Sequence, residues 1–173
     1  IKIFRNKYDK IKINIITGPT QSLFSKARNG AVDFIILNLP YIIPSDFNTK
    51  VLTTINDIFV ASSQFIELKN KTINLEDLNN YPLIIISKGS NTRYFLDNFT
   101  SSNNVVLKPE MELASYSLVN EFVEMGLGIG YLVKEFLSDE LKSGKLFEIK
   151  VTPQIPSRQI GLIHCNNKSL SMA

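Results

Sequence analysis

Hydrophobic and polar positions alternate in blocks that predict strands and helices in turn. Residues 11–16 (IKINII) are short, rich in β-branched side chains and bounded by a Gly-Pro pair, which predicts a strand. Apolar side chains then recur at helical spacing over 20–29, with Thr20 as the N-cap and Gly30 at C′. The nearly continuous apolar run 32–39 predicts a second strand, buried on both faces. Together these elements predict a right-handed, parallel βαβ unit.

The alternation continues along the rest of the chain. It predicts a bend followed by an extended segment within 51–62, and further extended segments at 82–87, 105–113, 129–133, 146–151 and 158–165. Helical segments are predicted at 75–79, after 90, at 115–125 and at 134–142. Strands that alternate with helices throughout indicate an α/β protein.

The order of these elements indicates two lobes. The extended segments 57–62 and 129–133 are placed to carry the chain out of a first lobe and back into it. We therefore expect lobe I to comprise 1–58 plus 134–173, and lobe II to comprise 59–133. A cleft between two hinged lobes is the natural place for a ligand.

Composition changes this picture little. Of the 173 residues, 44% are hydrophobic and 20% are charged, and no apolar run approaches the roughly 18 to 20 residues that a membrane span needs. The net charge is only +3, and the single cysteine excludes an intramolecular disulfide, which fits a reducing, cytoplasmic compartment. The densest basic run is either a phosphate-contacting arm or a solvated helix end, and the scatter of basic residues favours the second interpretation; its members are Lys2, Arg5, Lys7, Lys10 and Lys12.

Residues that could carry catalysis or bind a metal do not form a usable set. His164 and Cys165 are neighbours in a predicted strand, so their side chains point to opposite faces and cannot form a nucleophilic pair. One histidine and one cysteine are too few for the usual His/Cys metal site. Glu121 and Glu124 are expected on a solvated helix face. We therefore expect no enzyme activity, no metal and no cofactor.

The glycine-rich stretch GLGIG at 126–130 invites comparison with a dinucleotide-binding loop. Such a loop follows a strand and opens a helix, whereas this stretch closes a helix and opens a strand. We expect Gly126 at the C′ position of the helix, and close backbone packing at the glycines that follow.

Small polar residues repeatedly follow a predicted strand and begin a helix. They are Thr17, Gly18, Thr20 and Gln21; Asn38, which ends the second predicted strand; Ser87, Lys88, Gly89 and Ser90; and Ser115 and Ser117. In open α/β sheets, ligands bind outside the carboxyl ends of strands, where helix N-termini offer free N–H groups. Each position alone is consistent with a simple cap or turn. Four such places in one chain favour a cleft for a small polar or anionic ligand that is bound without chemistry.

Three stretches resemble the LysR-type bacterial transcription regulators. IKINIITGPTQSLFSKARNGAVDFIIL resembles the family's strand, helix and buried strand, with Asp33 at the position of the family's Asp. NLEDLNNYPLIII resembles the family's Leu-x-x-Leu followed by Pro-Leu-Ile. SLVNEFVEMGLGIGYLV resembles the helix followed by Gly-x-Gly-Ile, with Val133 where the family usually has proline. The matches cover nearly the whole chain in the family's order.

The resemblance implies an effector-binding domain with the two-lobed, periplasmic-binding-protein-like (type 2) α/β fold and two hinge strands. By position it implies contacts between a small-molecule effector and Thr20, Asn38, Ser87, Ser90 and Ser115. Their polar neighbours Gln21 and Lys88 complete the expected effector site. The family's usual Ser/Thr after the first strand has no counterpart here.

The resemblance also implies partners. We expect a homodimer, or a tetramer of the full-length protein, that pairs helix 20–29 of one subunit with helix 115–125 of the other, and no membrane contact. DNA binding is expected only through an N-terminal helix-turn-helix domain that precedes this chain. The domain's first strand, expected between 11–16 and 32–39, and its last helix are expected to be missing as well.

Two other functions stay open on the same fold. A solute-binding protein of a bacterial transport system would share it, although its lobes are usually larger. An enzyme such as a deaminase or dehydratase would need a catalytic constellation, which we do not find in the sequence.

Overall fold

The computed structural model describes residues 1–166. Its strands and helices, in chain order, are α1 (Lys2–Lys7), α2 (Thr20–Arg28), β1 (Ile35–Leu39), β2 (Phe47–Ile55), β3 (Asp57–Ser62), β4 (Thr72–Asn74), β5 (Leu83–Ile86), α3 (Asn91–Ser102), β6 (Met111–Leu113), α4 (Tyr116–Glu124), β7 (Ile129–Val133), α5 (Ser138–Ser143), β8 (Leu146–Thr152) and β9 (Arg158–Cys165). Short 3-10 helices lie at Ser63–Leu68, Leu75–Asn80 and Lys134–Phe136. None of the helices within this part of the chain is long and apolar enough to cross a membrane.

The chain forms two compact units. The first contains Ile1–Thr53 and the segment from Gln159 onward, and the second contains Thr54–Arg158. The sequence placed 134–158 in the first lobe, whereas here this segment belongs to the second unit. The reason is strand pairing, because β8 is hydrogen-bonded to β3 along Phe59–Ser62. The segments expected to link the lobes, 57–62 and 129–133, are β3 and β7, and they pair with each other inside the second unit.

The first unit is built on a three-stranded sheet with the order β1-β9-β2. Strands β1 and β9 are antiparallel, with Ile35 opposite Ile163. Helix α2 contributes Phe24 and Ala27 to the core, where they pack with the buried side chains of the sheet. The rings of Phe24 and Phe47 meet edge to face at 4.9 Å, a favourable arrangement for aromatic pairs.

Two sequence-based expectations fail in the first unit. Residues 11–16 form no strand, because β-propensity alone does not hold a strand that lacks a pairing partner. The parallel βαβ unit is therefore not formed, and the placement of a further strand beside 11–16 stays a prediction. In strand β1, Ile35 is buried while its neighbour Ile36 is 57% exposed, so the strand is not buried on both faces.

Helix α2 lies where the sequence placed it, with one change at its start. Its N-cap is Pro19, and Thr20 is the first helical residue. Gly30 has a φ of +75°, the left-handed conformation expected at C′.

The second unit is built on a six-stranded sheet with the order β4-β8-β3-β7-β5-β6. Strand β3 is antiparallel to β7 and β8, while β5 is parallel to β7 and β6. All six residues of β3 are buried, because the sheet carries a hydrophobic core on each face. One core includes Leu96 of α3, and the other includes Val119 and Val123 of α4.

The glycine-rich stretch has the packing role that the sequence predicted. Gly126 ends α4 with a φ of +80°. A Cβ added to Gly128 would lie 2.5 Å from the carbonyl oxygen of Pro82. Close backbone approach therefore explains the glycine at 128, and no phosphate-binding loop is needed to account for it.

Candidate functional site

Two helices of the second unit begin with a serine N-cap. The Ser90 hydroxyl accepts a hydrogen bond from the backbone N–H of Arg93 at 3.0 Å, at the start of α3. The Ser115 hydroxyl accepts one from the N–H of Leu118 at 3.3 Å, at the start of α4. Serine is favoured at this position because its oxygen compensates one of the first-turn N–H groups that lack an intrahelical partner.

These helix starts follow neighbouring parallel strands. Strand β5 pairs with β6 so that Ile86 lies opposite Leu113. The N–H of Ser87 donates to the carbonyl oxygen of Leu113 at 2.8 Å, which extends this pairing by one residue. The structure therefore brings together the predicted residues Ser87, Lys88, Ser90 and Ser115 at the carboxyl edge of the second sheet.

The other predicted residues belong to the first unit. Thr20 and Gln21 are the first two residues of α2. Asn38 is the last residue but one of β1, opposite Ile160 of β9. The seven predicted residues are thus divided between the two units, four in the second and three in the first.

A buried arginine holds the start of α3 against the sheet. Arg93 is only 5% exposed, and its guanidinium donates to the Asp97 carboxylate at 2.8 Å and the Ile86 carbonyl at 3.2 Å. It also donates to both carboxylate oxygens of Glu112 in β6, at 2.9 and 3.4 Å. The hydrogen bonds to Arg93 hold the pKa of the Glu112 carboxyl below its ordinary value. Strands β5 and β6 and helix α3 are therefore tied together at this edge.

A second buried arginine meets the same helix, and the sequence interpretation missed it. Arg158 pairs with Asp57 through Nε and through Nη2, the latter at 2.8 Å, and Nη2 also donates to the Thr92 hydroxyl at 2.9 Å. The Arg158 and Asp57 side chains are 1% and 0% exposed. The sequence did offer a signal for this pair: in NDIFVAS, Asp57 directly precedes an apolar run. A charge next to a buried strand requires a partner of opposite charge.

His164 and Cys165, the candidates for nucleophilic chemistry, belong to the first unit. His164 and Cys165 lie in β9, and the one contact between them joins the His164 Nδ1 to the Cys165 carbonyl oxygen at 3.4 Å. Within residues 1–166, no group of three or more His, Cys, Asp or Glu residues is arranged to hold a metal ion. The basic residues Lys2, Arg5 and Lys7 lie in the exposed helix α1.

Comparison with known sequences identifies the family. The LysR substrate binding domain matches this chain over residues 1–173. The HTH-type transcriptional activator CmpR of Synechocystis sp. is 30% identical over 171 residues, which cover 98% of this chain and 55% of CmpR. The HTH-type transcriptional regulator CysL of Bacillus subtilis is 24% identical over 163 residues, which cover 94% of this chain and 50% of CysL. The chain thus spans about half the length of these curated relatives.

Comparison with solved structures gives the fold. The regulatory domain of Synechocystis CcmR, in complex with 2-PG, has a TM-score of 0.82 at 21% identity, over 99% of this chain and 82% of that one. The effector-binding domain of QuiR, in complex with shikimate, has a TM-score of 0.76 at 20% identity, over 99% and 81%. The fold is the two-lobed, periplasmic-binding-protein-like fold of these domains. The relatives are transcription regulators and not transport proteins, and this chain belongs to the LysR-type regulators as their substrate-binding domain.

Proposed function

We propose that this domain senses a small anionic metabolite and, in the full-length protein, passes its presence to a DNA-binding domain that controls transcription. The proposal requires binding and no catalysis. It fits the structural neighbours, one of which is a regulatory domain in complex with 2-PG and another an effector-binding domain in complex with shikimate. We further propose that the full-length regulator is a cytoplasmic homodimer.

The observation that carries this proposal is the position of two helix starts at one sheet edge. Helices α3 and α4 begin directly after the parallel strands β5 and β6, and each has a serine N-cap. The N-terminus of a helix carries a partial positive charge and N–H groups without intrahelical partners, so it favours an anion by roughly 0.3 to 1 kcal/mol. Two such ends side by side favour an anion more than either does alone.

We assign effector contacts in the second unit to Ser87, Ser90 and Ser115. The two capping hydroxyls each accept one backbone hydrogen bond, which leaves their own O–H free to donate to a ligand. Lys88 is exposed and adds positive charge to this edge. From the first unit we keep Thr20, Gln21 and Asn38 as proposed contacts to the same effector.

The test uses a matched pair of variants at Ser90. Both Ser90→Asp and Ser90→Thr retain an oxygen that caps α3, but the aspartate adds a negative charge where we place the anion. Calorimetric titration of a panel of organic acids and phosphate esters should yield at least one compound that binds the wild type. S90T should bind it with similar affinity, and S90D should bind it at least about tenfold more weakly, which corresponds to 1.4 kcal/mol.

A second comparison tests the contribution of the first unit. Replacing Thr20 and Ser115 together by Ala should weaken the same compound by roughly tenfold or more, because each lost polar contact contributes about 0.5 to 1.5 kcal/mol. Equal binding to the wild type, S90D and the double variant would refute the assignment of this edge. So would a panel in which only apolar compounds bind.

A further inference from the structure

Arg158 contains a buried hydrogen-bond donor that the fold does not use. Its side chain is 1% exposed, and Nη1 has no hydrogen-bond partner among the described residues. Buried polar groups are nearly always satisfied, and a charged N–H that lacks an acceptor costs more than a neutral one. An acceptor from outside the described residues is therefore expected beside Nη1.

The planar guanidinium fixes the direction of this donor. Nε and one N–H of Nη2 face the carboxylate of Asp57, and the other N–H of Nη2 points to the Thr92 hydroxyl. In a guanidinium, this second N–H of Nη2 shares an edge with one N–H of Nη1, and the two are nearly parallel. Neither N–H of Nη1 has a partner among the described residues, and one of the two points toward the same side as Thr92, which lies in the first turn of α3.

Helix α3 surrounds the guanidinium further. The Arg158 Cζ lies 5.6 Å from the centre of the Phe95 ring, a cation–π distance. The twelve-residue helix thus presents its positive N-terminal end, a hydroxyl and an aromatic face to one buried cation. The guanidinium of Arg158 and the N-terminal end of α3 are both positive, and both would attract a negative group at the first turn of the helix.

A second orphaned group lies near the first. The hydroxyl of Tyr131 is buried and has no hydrogen-bond partner within residues 1–166. Burial, and after it the charge of Asp57, raise the pKa of this hydroxyl, so it stays neutral and able to donate. Tyr131 lies opposite Phe59 on the face of the sheet that also carries Asp57, two residues away along β3.

The other cations of this edge do not offer the same donor. The Arg93 guanidinium is bonded to Asp97, Glu112 and the Ile86 carbonyl. Lys88 is exposed, and its flexible, hydrated ammonium is a weaker choice for a fixed contact. Arg158 combines burial, a fixed orientation and an unused N–H.

We propose that Arg158 is the residue that selects an anionic effector: its Nη1 donates to a carboxylate or phosphate oxygen of the ligand at the first turn of α3. This inference rests on the proposed function and adds the ligand's chemical class and its charged partner. Because Nη1 has essentially no exposed area, the oxyanion lies inside the fold, and binding requires a local opening of the residues that cover the guanidinium. A neutral ligand of the same shape gains less from this contact, because it lacks the attraction between opposite charges.

The experiment uses simple probes on the whole domain. Inorganic phosphate and acetate are titrated separately, against sodium chloride at equal ionic strength and against trimethyl phosphate as a neutral probe. The variant is Asp57→Asn combined with Arg158→Gln, which removes both charges and leaves no lone buried ion. The matched control is Arg28→Gln combined with Asp46→Asn, which removes an exposed bidentate pair in the first unit.

At least one of the two anions should bind the wild type and the control variant in the millimolar range, with a shift of the Arg158 side-chain nitrogen resonances. The D57N/R158Q variant should bind that anion at least about tenfold more weakly. The inference is overturned if neither anion binds, if trimethyl phosphate binds as well, or if D57N/R158Q binds equally. If that variant fails to fold, the nitrogen resonances of the wild type decide, since anions that leave them unmoved refute the proposal.

The two proposals fail in different ways. A metabolite from the panel that loses affinity for S90D but binds D57N/R158Q as tightly as the wild type supports the proposed function and overturns the role of Arg158. Phosphate that binds at Arg158 while no metabolite of the panel binds would support this inference and count against the proposed effector.

Discussion

Asp57 and Arg158 are 101 residues apart in the chain, and their side chains form a bidentate ion pair that is almost completely buried. Asp57 follows the first point at which the chain passes between the two units, and Arg158 is the last residue before it passes back. The pair therefore joins both crossing segments on the side of the second unit. Through Thr92 it also joins them to the start of α3.

Removing one partner of this pair should destabilise the domain strongly. Asp57→Ala leaves the Arg158 charge buried without compensation, and we expect a loss of about 3 to 5 kcal/mol in the free energy of unfolding. The D57N/R158Q double variant should lose less, because no lone charge remains. Urea unfolding followed by circular dichroism measures both, and a D57A variant as stable as the wild type would contradict the prediction.

Gly128 should not tolerate a side chain. Gly128→Ala places a Cβ 2.5 Å from the Pro82 carbonyl oxygen, and since backbone cannot yield as a side-chain end can, we expect a loss of about 1 to 3 kcal/mol. The control is Gly18→Ala, because a Cβ at Gly18 meets nothing within 4 Å. Thermal and urea unfolding should place G18A within about 0.5 kcal/mol of the wild type, and equal losses for both variants would refute the steric argument.

The Arg93–Glu112 contact should make stability depend on acid pH. A carboxyl whose pKa is lowered in the folded state, as the hydrogen bonds from Arg93 lower that of Glu112, stabilises the fold above its unfolded-state pKa. That stabilisation is lost as the pH falls through the folded-state pKa. Glu112→Gln should therefore be less stable than the wild type at pH 7, and the difference should shrink below about pH 4.

Urea midpoints at pH 7, 5 and 3 test this dependence. Because the Glu112 side chain is 38% exposed, we expect a modest effect. Glu110→Gln changes an exposed carboxylate two residues away and serves as the control. A difference between E112Q and the wild type that stays constant across the pH range would rule out the ionised contact as its cause.

Helix α4 should contribute to a dimer. Leu118 and Met125 are 41% and 67% exposed, and α4 is one of the two helices expected at a homodimer interface. A C₂ interface should bury roughly 1,000 Å² or more. Sedimentation at tens of micromolar should show dimers for the wild type and for Ile66→Asp, a change at a 56% exposed apolar residue elsewhere. Leu118→Asp combined with Met125→Asp should sediment as a monomer.

Features that depend on nearby residues could be predicted from the sequence. Ser90 and Ser115 indicated the starts of α3 and α4, because an N-cap side chain accepts a hydrogen bond from a backbone N–H only two or three residues further on. Gly126 and Gly144 mark helix ends because their backbones have φ of +80° and +76°, which favours glycine. The grouping of Ser87, Ser90 and Ser115 followed from a general property of parallel strands.

Features that depend on distant residues could not be predicted. Strand β1 pairs with β9, which begins 119 residues beyond Leu39. The residues around 11–16 do not indicate this distant pairing, so their local pattern was interpreted as a strand next to β1 in the chain. The place of 134–158 in the fold likewise depends on a distant pairing, that of β8 with β3. Sequence spacing could not predict the Asp57–Arg158 pair, because only the tertiary fold brings these two distant charges together.

The sheet order β1-β9-β2 has a consequence for folding during synthesis on the ribosome. The central strand of the first unit is the last strand within residues 1–166, so β1 and β2 emerge long before the strand that joins them. The second unit is continuous from Thr54 to Arg158 and can fold while synthesis continues. Until β9 is synthesised, Phe24, Ile35 and Phe47 lack the core contacts that Ile163 of β9 completes. The first unit therefore completes its sheet only after β9 has been synthesised.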